Sequence, residues 1–328
     1  MLKKLTLLLS FLLVTVVAFS GCSCSSERLS FDNSFNNGAK PSYNHKETLT
    51  YNVAFEPSTD QNAPGLPDYC TLEYTAGKYL SSFEVVSDLS AFDSDIIKNN
   101  DIKEIYSLTT EFTINIKLTI NGTPYENTDA VTSKVYFAPQ GYSFAPIYSE
   151  SHAEYLMPAY DESSNVIAKI YSSDFTVNYS QNDYKTSKTD KAKKYDFLCV
   201  IDNAQLLFAL RNIKIAENSS FNISVLSESY GEPKTLSVTN KSTLTRPNVK
   251  LKYNGEELTE SITCDELIFR LNSTSASGSS QKVVIQSAKS EHVNNYALPV
   301  EYERNGILFG SSSAGILRFS LAEIEMTD

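Results

Sequence analysis

Side chains that could act in catalysis are few and scattered along the chain. Histidine, the residue most often used for proton transfer near neutral pH, occurs only as His45, His152 and His292, and each stands alone. A catalytic site needs a nucleophile, a base and an orienting group within hydrogen-bond reach of one another. No local motif supplies such a set, so the sequence predicts no catalytic residue and a protein that is not an enzyme.

Two serine-rich stretches have a superficial likeness to hydrolase motifs. The segment "GSSSAG" at residues 310–315 lacks the second glycine of a nucleophile elbow, because Ala314 stands in its place, and no helix follows it. Ser279 and Lys282 have the serine–lysine spacing of penicillin-recognising enzymes, but they lie in a serine-rich loop rather than at a helix start. Both stretches are interpreted as hairpin or loop sequence.

One acidic segment offers oxygen ligands close together, at Asp93, Asp95, Asn99 and Asp101. A calcium loop requires a glycine where Lys98 stands, so the segment does not have that pattern. A solvated acidic loop is the expectation, with a loose calcium site as the alternative, and we predict no metal ligand and no cofactor. The surrounding stretch, residues 87–102, is assigned no role.

The N-terminus has the layout of a secretory signal. Lys3 and Lys4 form a positive segment, residues 5–19 are almost wholly apolar, and the small residues Ser20 and Gly21 follow. The apolar run is shorter than the roughly 20 residues of a membrane-spanning helix. We therefore predict a signal peptide over residues 1–21.

The sequence "FSGC" that ends this segment resembles the bacterial lipobox. The resemblance implies that the thiol of Cys22 is lipidated and that the signal is cut just before it. Residues 22–45 are then a polar tether, rich in Ser, Asn and Gly, in which Cys24 has no role by position. The expected location is the outer face of the bacterial cytoplasmic membrane, or the outer membrane where the cell has one, with the lipid as the contact to the membrane.

Composition restricts the class of the remaining chain. The 328 residues carry a net charge of −11, which disfavours nucleic acid as a partner. Hydrophobic residues make up 41% of the chain, enough for a globular core. The three remaining cysteines follow no metal or redox spacing, so one buried disulfide and buried free thiols both remain open; they are Cys70, Cys199 and Cys264.

Strand patterns dominate the chain after the tether. Residues 105–120 alternate strictly, with apolar side chains such as Phe112, Ile114 and Leu118 on one face and polar ones on the other. Asn121-Gly122 predicts a tight hairpin after this strand, and Asn254-Gly255 predicts another. The alternation changes phase within residues 166–179, which predicts a bulge or a bend near residues 172–174. Strands of this length favour a strongly curved sheet or barrel.

Only residues 202–212, "DNAQLLFALRN", read as a clear helix. Asp202 and Gln205 have the spacing of a capping box. Leu207 and Phe208 lie on its broad apolar surface, and a helix this short needs an apolar partner. The sheet is the only large apolar surface available, so we expect the helix on the sheet's apolar face. Residues 91–99 are the next segment in which a short helix is conceivable.

The body of the chain resembles a group of bacterial envelope proteins of unknown function. The likeness lies in the sequence "LFALR" at residues 207–211 and in "LPV" at residues 298–300, near the C-terminus. Members of this group look like the half-barrel of lipoprotein carriers. The resemblance implies a mainly β fold: one long-stranded, curved antiparallel sheet with a short helix on its concave face, as a single domain over residues 46–328.

Two functions follow from these patterns. In the first, a non-enzymatic, lipid-anchored envelope protein holds an apolar ligand in the concave face, contacted by Phe112, Ile114, Leu118, Leu207 and Phe208. In the second, the same residues form a closed core and the outer surface binds an envelope partner. A core-filled and a ligand-filled barrel show the same alternation. An envelope enzyme with dispersed catalytic residues is the third alternative.

Overall fold

The structure is a computed structural model. It describes residues 45–57, 69–189, 191–195, 200–211, 215–226, 232–271, 280–287, 297–309 and 312–327. The described chain is dominated by strands. In chain order they are β1 (Lys46–Pro57), β2 (Cys70–Val86), β3 (Ile105–Ile120), β4 (Thr123–Phe137), β5 (Pro146–Tyr160), β6 (Val166–Tyr179), β7 (Asp183–Thr186), β8 (Lys193–Lys194), β9 (Val200–Asp202), β10 (Ser220–Leu226), β11 (Lys234–Tyr253), β12 (Glu256–Leu271), β13 (Ser280–Gln286), β14 (Pro299–Phe309) and β15 (Ser312–Thr327).

Helices are short. The described residues contain α1 (Asp95–Asn99), α2 (Leu206–Leu210) and two 3₁₀ turns, Gln140–Tyr142 and Asn203–Gln205. Within the described residues, none of these helices has the length and apolar character needed to cross a membrane. The predicted mainly β fold is confirmed.

All 15 strands belong to one sheet, in the order β8-β7-β6-β5-β4-β3-β2-β1-β15-β14-β13-β12-β11-β10-β9. Neighbouring strands are antiparallel, except that β9 pairs with β10 in parallel. The end of β11 also pairs with β15, through Lys252 with Glu323 and Tyr253 with Ile324. Strands β11 to β15 therefore form a closed cycle of pairings, and the sheet is rolled up rather than open at this end.

The hairpin predictions are confirmed in detail. Residues 105–120 form β3 over its whole predicted length, and its pairing with β4 runs from Ile120 with Thr123 to Tyr106 with Phe137. Asn121 and Gly122 have φ values of 49° and 83°, and Asn254 and Gly255 have 47° and 87°. Two successive positive φ values characterise the tight turn that matches the twist of a hairpin, which explains the Asn-Gly sequences.

The predicted helix begins where expected but is shorter and composite. The capping box is present: the Asp202 side chain accepts from the backbone N–H of Ala204, and the side chain of Gln205 accepts from the N–H of Asp202. A 3₁₀ turn then leads into α2, which ends at Leu210 and is followed by Arg211 as its C-cap. Asn212, the last residue of the predicted helix, lies outside the described residues.

The helix α2 lies between two walls of the curved sheet. Leu206, Ala209 and Leu210 pack against β10 to β13, in a cluster that includes Val225 and Phe269. On the opposite side, Phe208 packs into an aromatic cluster formed by Phe83, Tyr106, Phe137 and Phe144. The helix lies on the concave face of the sheet, as the sequence predicts, because both of its sides are apolar and each packs against a different part of the sheet.

The segment 87–102 contains the helix α1, in the stretch singled out as a conceivable short helix. Ile96 and Ile97 are buried against β5 and β6, in a cluster with Ile147 and Val177. The Asp95 carboxylate accepts from the backbone N–H of Gln181 at 3.1 Å and 3.3 Å. This segment thus covers the start of β5 and the end of β6, the end of the hairpin away from its turn.

Candidate ligand-binding site

The structure divides the five candidate side chains into separate groups. Phe112, Ile114 and Leu118 lie on the inner face of β3 and are at most 5% exposed. They belong to a central cluster to which β1, β2, β12 and β15 also contribute side chains. Phe208 lies in the aromatic cluster, and Leu207 is half-buried against the cluster of β10 to β13. The two helix residues and the three β3 residues therefore belong to different apolar clusters and do not form one continuous surface.

Cysteine placement settles part of the thiol question. Cys70 and Cys264 are both buried free thiols. Burial raises the pKa of Cys264 to about 12, so this thiol is protonated and unreactive at neutral pH. Cys22, the predicted lipidation site, and Cys24 and Cys199 lie outside the described residues.

The other motifs raised by the sequence do not assemble into a site. His45 is fully buried beside Phe83, with ring centroids 6.0 Å apart. His152 is exposed, and the hydrogen bond between its Nδ1 and Asp174, at 2.7 Å, raises its pKa. Lys282 lies on β13 and pairs with Glu303 at 2.9 Å. Ser279, Gly310 and His292 lie outside the described residues.

The acidic segment is engaged by its own neighbours. Asp93 pairs with Lys98 and Asp101 pairs with Lys103. Asn99 donates to the side-chain oxygen of Gln181 at 2.9 Å. Within the described part of the chain, no three His, Cys, Asp or Glu side chains lie close enough together to hold a metal ion.

The outer half of the β5–β6 hairpin leaves the sheet and lies against the central cluster. Pairing of β5 with β4 ends at Glu154 opposite Ala130. Pairing of β5 with β6 continues without a shift to Tyr160 opposite Val166. Beyond the last β4 contact, the buried Leu156 and the half-buried Val166 and Ala168 pack on the same cluster as β3. We call residues 155–171 of this hairpin the flap.

The change of phase within residues 166–179 does not come from a bulge, which was one of its two predicted causes. The register between β5 and β6 has no shift along the whole hairpin. Ser149 and Leu156 are both buried, yet an odd separation puts them on opposite faces of a regular strand. Beyond the last pairing with β4, both strands of the hairpin therefore twist together so that the opposite face is buried, and no residue is inserted.

A buried carboxylate holds the flap at the point where it leaves the sheet. Asp129 on β4 is 2% exposed and lies on the inner face, opposite Ile114. Its Oδ1 accepts from the backbone N–H of Leu156 and from the side-chain amide of Asn127, each at 2.9 Å. The backbone pairing of β4 with β5 ends at Ala130, next to Asp129 in the sequence. The hydrogen bond from Leu156 to Oδ1 therefore extends the contact between the two strands beyond this last backbone pair.

The second carboxylate oxygen of Asp129 and a nearby phenol are both buried without a hydrogen-bond partner. These two atoms are Asp129 Oδ2 and Tyr74 Oη. Tyr74 lies on β2 opposite Ile116, so it shares the inner face with Asp129 across β3. Its ring packs on that of Phe55, with centroids 4.1 Å apart.

Burial dominates the electrostatics of this pair. Loss of water raises the pKa of the Asp129 carboxyl, although the hydrogen bonds from Leu156 and Asn127 act in the opposite direction. Burial also raises the pKa of Tyr74, and the negative charge of Asp129 raises it further. The phenol is therefore a hydrogen-bond donor throughout the neutral range.

Asp202 shows what a purely structural buried carboxylate looks like in this fold. Its Oδ2 accepts from Ser149 and from Tyr179, each at 2.6 Å, and its Oδ1 accepts from Ala204 at 2.8 Å. Both oxygens have partners, and the residue caps the helix. Asp129 differs because its Oδ2 is buried and has no hydrogen-bond partner.

Comparisons with known proteins assign no family. No family model matches the chain, and no curated protein matches it. The fold is similar to the crystal structure of a β-barrel-like protein with a domain of unknown function, DUF1849, from Brucella abortus. The TM-score is 0.48 and the identity is 8%, over 86% of this chain and 98% of that one. Membership of the envelope group implied by the sequence stays a prediction.

Asp129 was not among the predicted site residues, although it lies well inside β4. Residues 125 to 137 carry their inward side chains at odd positions, such as Val131, Val135 and Phe137. Asn127 and Asp129 fall on the same parity. Two successive polar residues at inward positions of a strand were the signal that could have revealed the site.

We expect Asp129→Asn to be as stable as the wild type at pH 7, or more stable, whereas an average substitution costs about 1 kcal/mol. The folded-state pKa of Asp129 lies above its unfolded value. The contribution of Asp129 to the free energy of unfolding is therefore fully present below its unfolded pKa and is lost as pH rises through its folded pKa. Asparagine has no proton to lose. Urea unfolding at several pH values measures the difference between the two proteins.

The stability of Asp129→Asn relative to the wild type should increase as pH rises from about 4, the unfolded pKa of an aspartate. Asp202→Asn is the comparison, because its carboxylate has three hydrogen-bond partners and its loss should lower stability. If the wild type has a higher free energy of unfolding than Asp129→Asn at pH 7, the assignment of Asp129 as a destabilising charge is wrong.

Proposed function

We propose that this protein is a non-enzymatic, lipid-anchored protein of the bacterial cell envelope that holds an apolar ligand beneath the flap. The observation that carries the proposal is the arrangement of the inner face near the flap. Its floor is fully buried and apolar, formed by Ile114, Ile116 and Leu118. Half-buried apolar side chains surround this floor; they are Phe55, Leu72, Tyr74, Tyr125, Val166 and Ala168.

The flap is the natural route of entry. Its backbone is not paired with β4. The hydrogen bonds that hold it to the rest of the sheet include the one from the Leu156 N–H to Asp129 and one between the hydroxyls of Tyr160 and Tyr69. Tyr160 is 72% exposed and Ile170 is 54% exposed, which is unusual for large apolar side chains. Opening of the flap would expose the floor without breaking the β1 to β4 part of the sheet.

The second candidate function is a closed-core protein that binds an envelope partner through its outer surface. One observation favours it: the Phe112 ring packs against Phe319 at 6.0 Å, and the Arg304 guanidinium lies over both rings, at 5.1 Å and 5.4 Å. This part of the barrel interior is filled by the protein's own side chains. The ligand site therefore lies towards Ile116 and Leu118, beyond Phe112.

Mass spectrometry of the protein purified from the membranes of the cells that make it tests the proposal. We expect a mature chain that begins at Cys22 and carries covalent acyl groups, because two acyl chains make anchoring stable. Under native conditions we expect an additional non-covalent apolar ligand. Protein that repeatedly carries no such ligand would favour the closed-core function.

Variants of the two N-terminal cysteines provide matched controls. Cys22→Ser should leave an uncut precursor or a shed protein, whereas Cys24→Ser should still be anchored. If Cys22→Ser fractionates with membranes as a chain of mature size, the anchoring part of the proposal is wrong. The proposal of a bound ligand would then depend only on whether native mass spectrometry detects a non-covalent ligand.

A further inference from the structure

Asp129 Oδ2 and Tyr74 Oη are the starting point for a statement about the ligand itself. Both atoms are buried, and neither has a hydrogen-bond partner. A buried polar atom without a partner carries a desolvation cost that nothing offsets. Native structures seldom keep such an atom unless a ligand, ion or water satisfies it.

The register places the two groups on opposite sides of one strand. Asp129 is the cross-strand neighbour of Ile114, and Tyr74 that of Ile116, so they lie on one face at diagonal positions across β3. The charge of Asp129 acts on the Tyr74 phenol, yet the two do not hydrogen-bond to each other. A single small group between them could contact both.

The chemistry of that group follows from the two partners. A phenol whose pKa is raised offers a proton, and Asp129 Oδ2 accepts one when the carboxylate is ionised. The bridging group must therefore accept from Tyr74 and donate to Asp129. A neutral hydroxyl does both. An ammonium has no lone pair for Tyr74, and a ligand carboxylate would be repelled by Asp129.

We propose that the ligand beneath the flap is an apolar molecule with a neutral hydroxyl group, which Tyr74 and Asp129 bind together. The inference rests on the proposed function and names the class of its ligand. The alkyl part lies on Ile116, Leu118 and the flap residue Ala168. The same two residues select against fatty-acid carboxylates, although the apolar floor would accommodate their chains.

Binding of decanol, decanoate and decane to the full mature chain at pH 8, by calorimetry, tests the inference. We expect decanol to bind at least tenfold more tightly than decanoate. Tyr74→Phe should weaken decanol binding about tenfold, because the hydrogen bond from the phenol to the ligand hydroxyl is lost. Tyr148→Phe is the matched control, since it removes a phenol on β5 outside the flap, one that donates to Glu150 at 3.0 Å, and should have no effect.

Asp129→Asn tests the inference by a gain of binding, which a damaged fold would not produce. Removal of the negative charge should admit decanoate, with an affinity raised about tenfold or more over the wild type. If decane and decanol bind the wild type equally well and Tyr74→Phe changes neither, the hydroxyl assignment is overturned and the proposed apolar site stands. If none of the three probes binds, the proposed function itself fails.

Discussion

Replacement of Arg211 by Met is expected to lower the free energy of unfolding by about 3–5 kcal/mol, because it leaves a buried carboxylate without its partner. Arg211 follows the end of α2, and its guanidinium binds Glu47 of β1 through two parallel hydrogen bonds of 2.5 Å and 2.9 Å. Both side chains are 2% exposed. Urea unfolding followed by circular dichroism measures the loss.

The double replacement of Glu47 by Leu and Arg211 by Met is the control. It removes both charges and leaves apolar side chains of similar size, so it should recover most of the stability lost by Arg211→Met. Glu47→Leu alone should be as damaging as Arg211→Met, because it removes the carboxylate that accepts two hydrogen bonds from the buried guanidinium. Two single losses that simply add in the double variant would show that the pair is not coupled.

Phe208→Ala is expected to cost about 3–5 kcal/mol, the loss typical of a large aromatic side chain removed from a core. Phe208 is 3% exposed. Its ring stacks on Phe83 at 4.8 Å and meets Phe137 and Phe144 edge-on, at 5.4 Å and 5.6 Å. The guanidinium of Arg211 lies 5.5 Å from the ring centroid. The cavity would thus open in the middle of three aromatic contacts and beside the ion pair.

Leu207→Ala is the matched comparison for this prediction. Leu207 is adjacent in sequence but half-buried, so less apolar area returns to water and a smaller cavity forms. We expect less than half of the Phe208→Ala loss, measured by chemical unfolding. Equal losses would mean that the helix as a whole, rather than the aromatic cluster, determines stability.

Local sequence patterns predicted the elements whose causes are local. The alternation of residues 105–120 and the Asn-Gly turns fix a strand and its hairpin, because the period of two and the positive φ values are properties of the segment itself. The Asp202–Gln205 capping box was equally readable. Each of these features involves residues within a few positions of one another.

The features that could not be predicted depend on contacts between distant parts of the chain. The Glu47–Arg211 pair joins residues separated by 164 positions. The flap turns over because the β4 ladder ends at Ala130, and the sequence of β5 and β6 alone gives the change of phase without its cause. The parity of β4 puts Asp129 on the inner face, but its position opposite Ile114 and diagonal to Tyr74 depends on the registers of β4 and β2 against β3.

The position of β1 has a consequence for the order in which the chain folds. This first strand lies between β2 and β15, and its pairing with β15 joins Lys46 to Thr327. At synthesis rates of about 5–20 residues per second, β1 waits on the order of tens of seconds for its last neighbour to emerge. During that interval one edge of β1 is unpaired and open to association with other chains. The non-local pairing also places the protein among slow folders, with closure of the sheet on the millisecond-to-second scale.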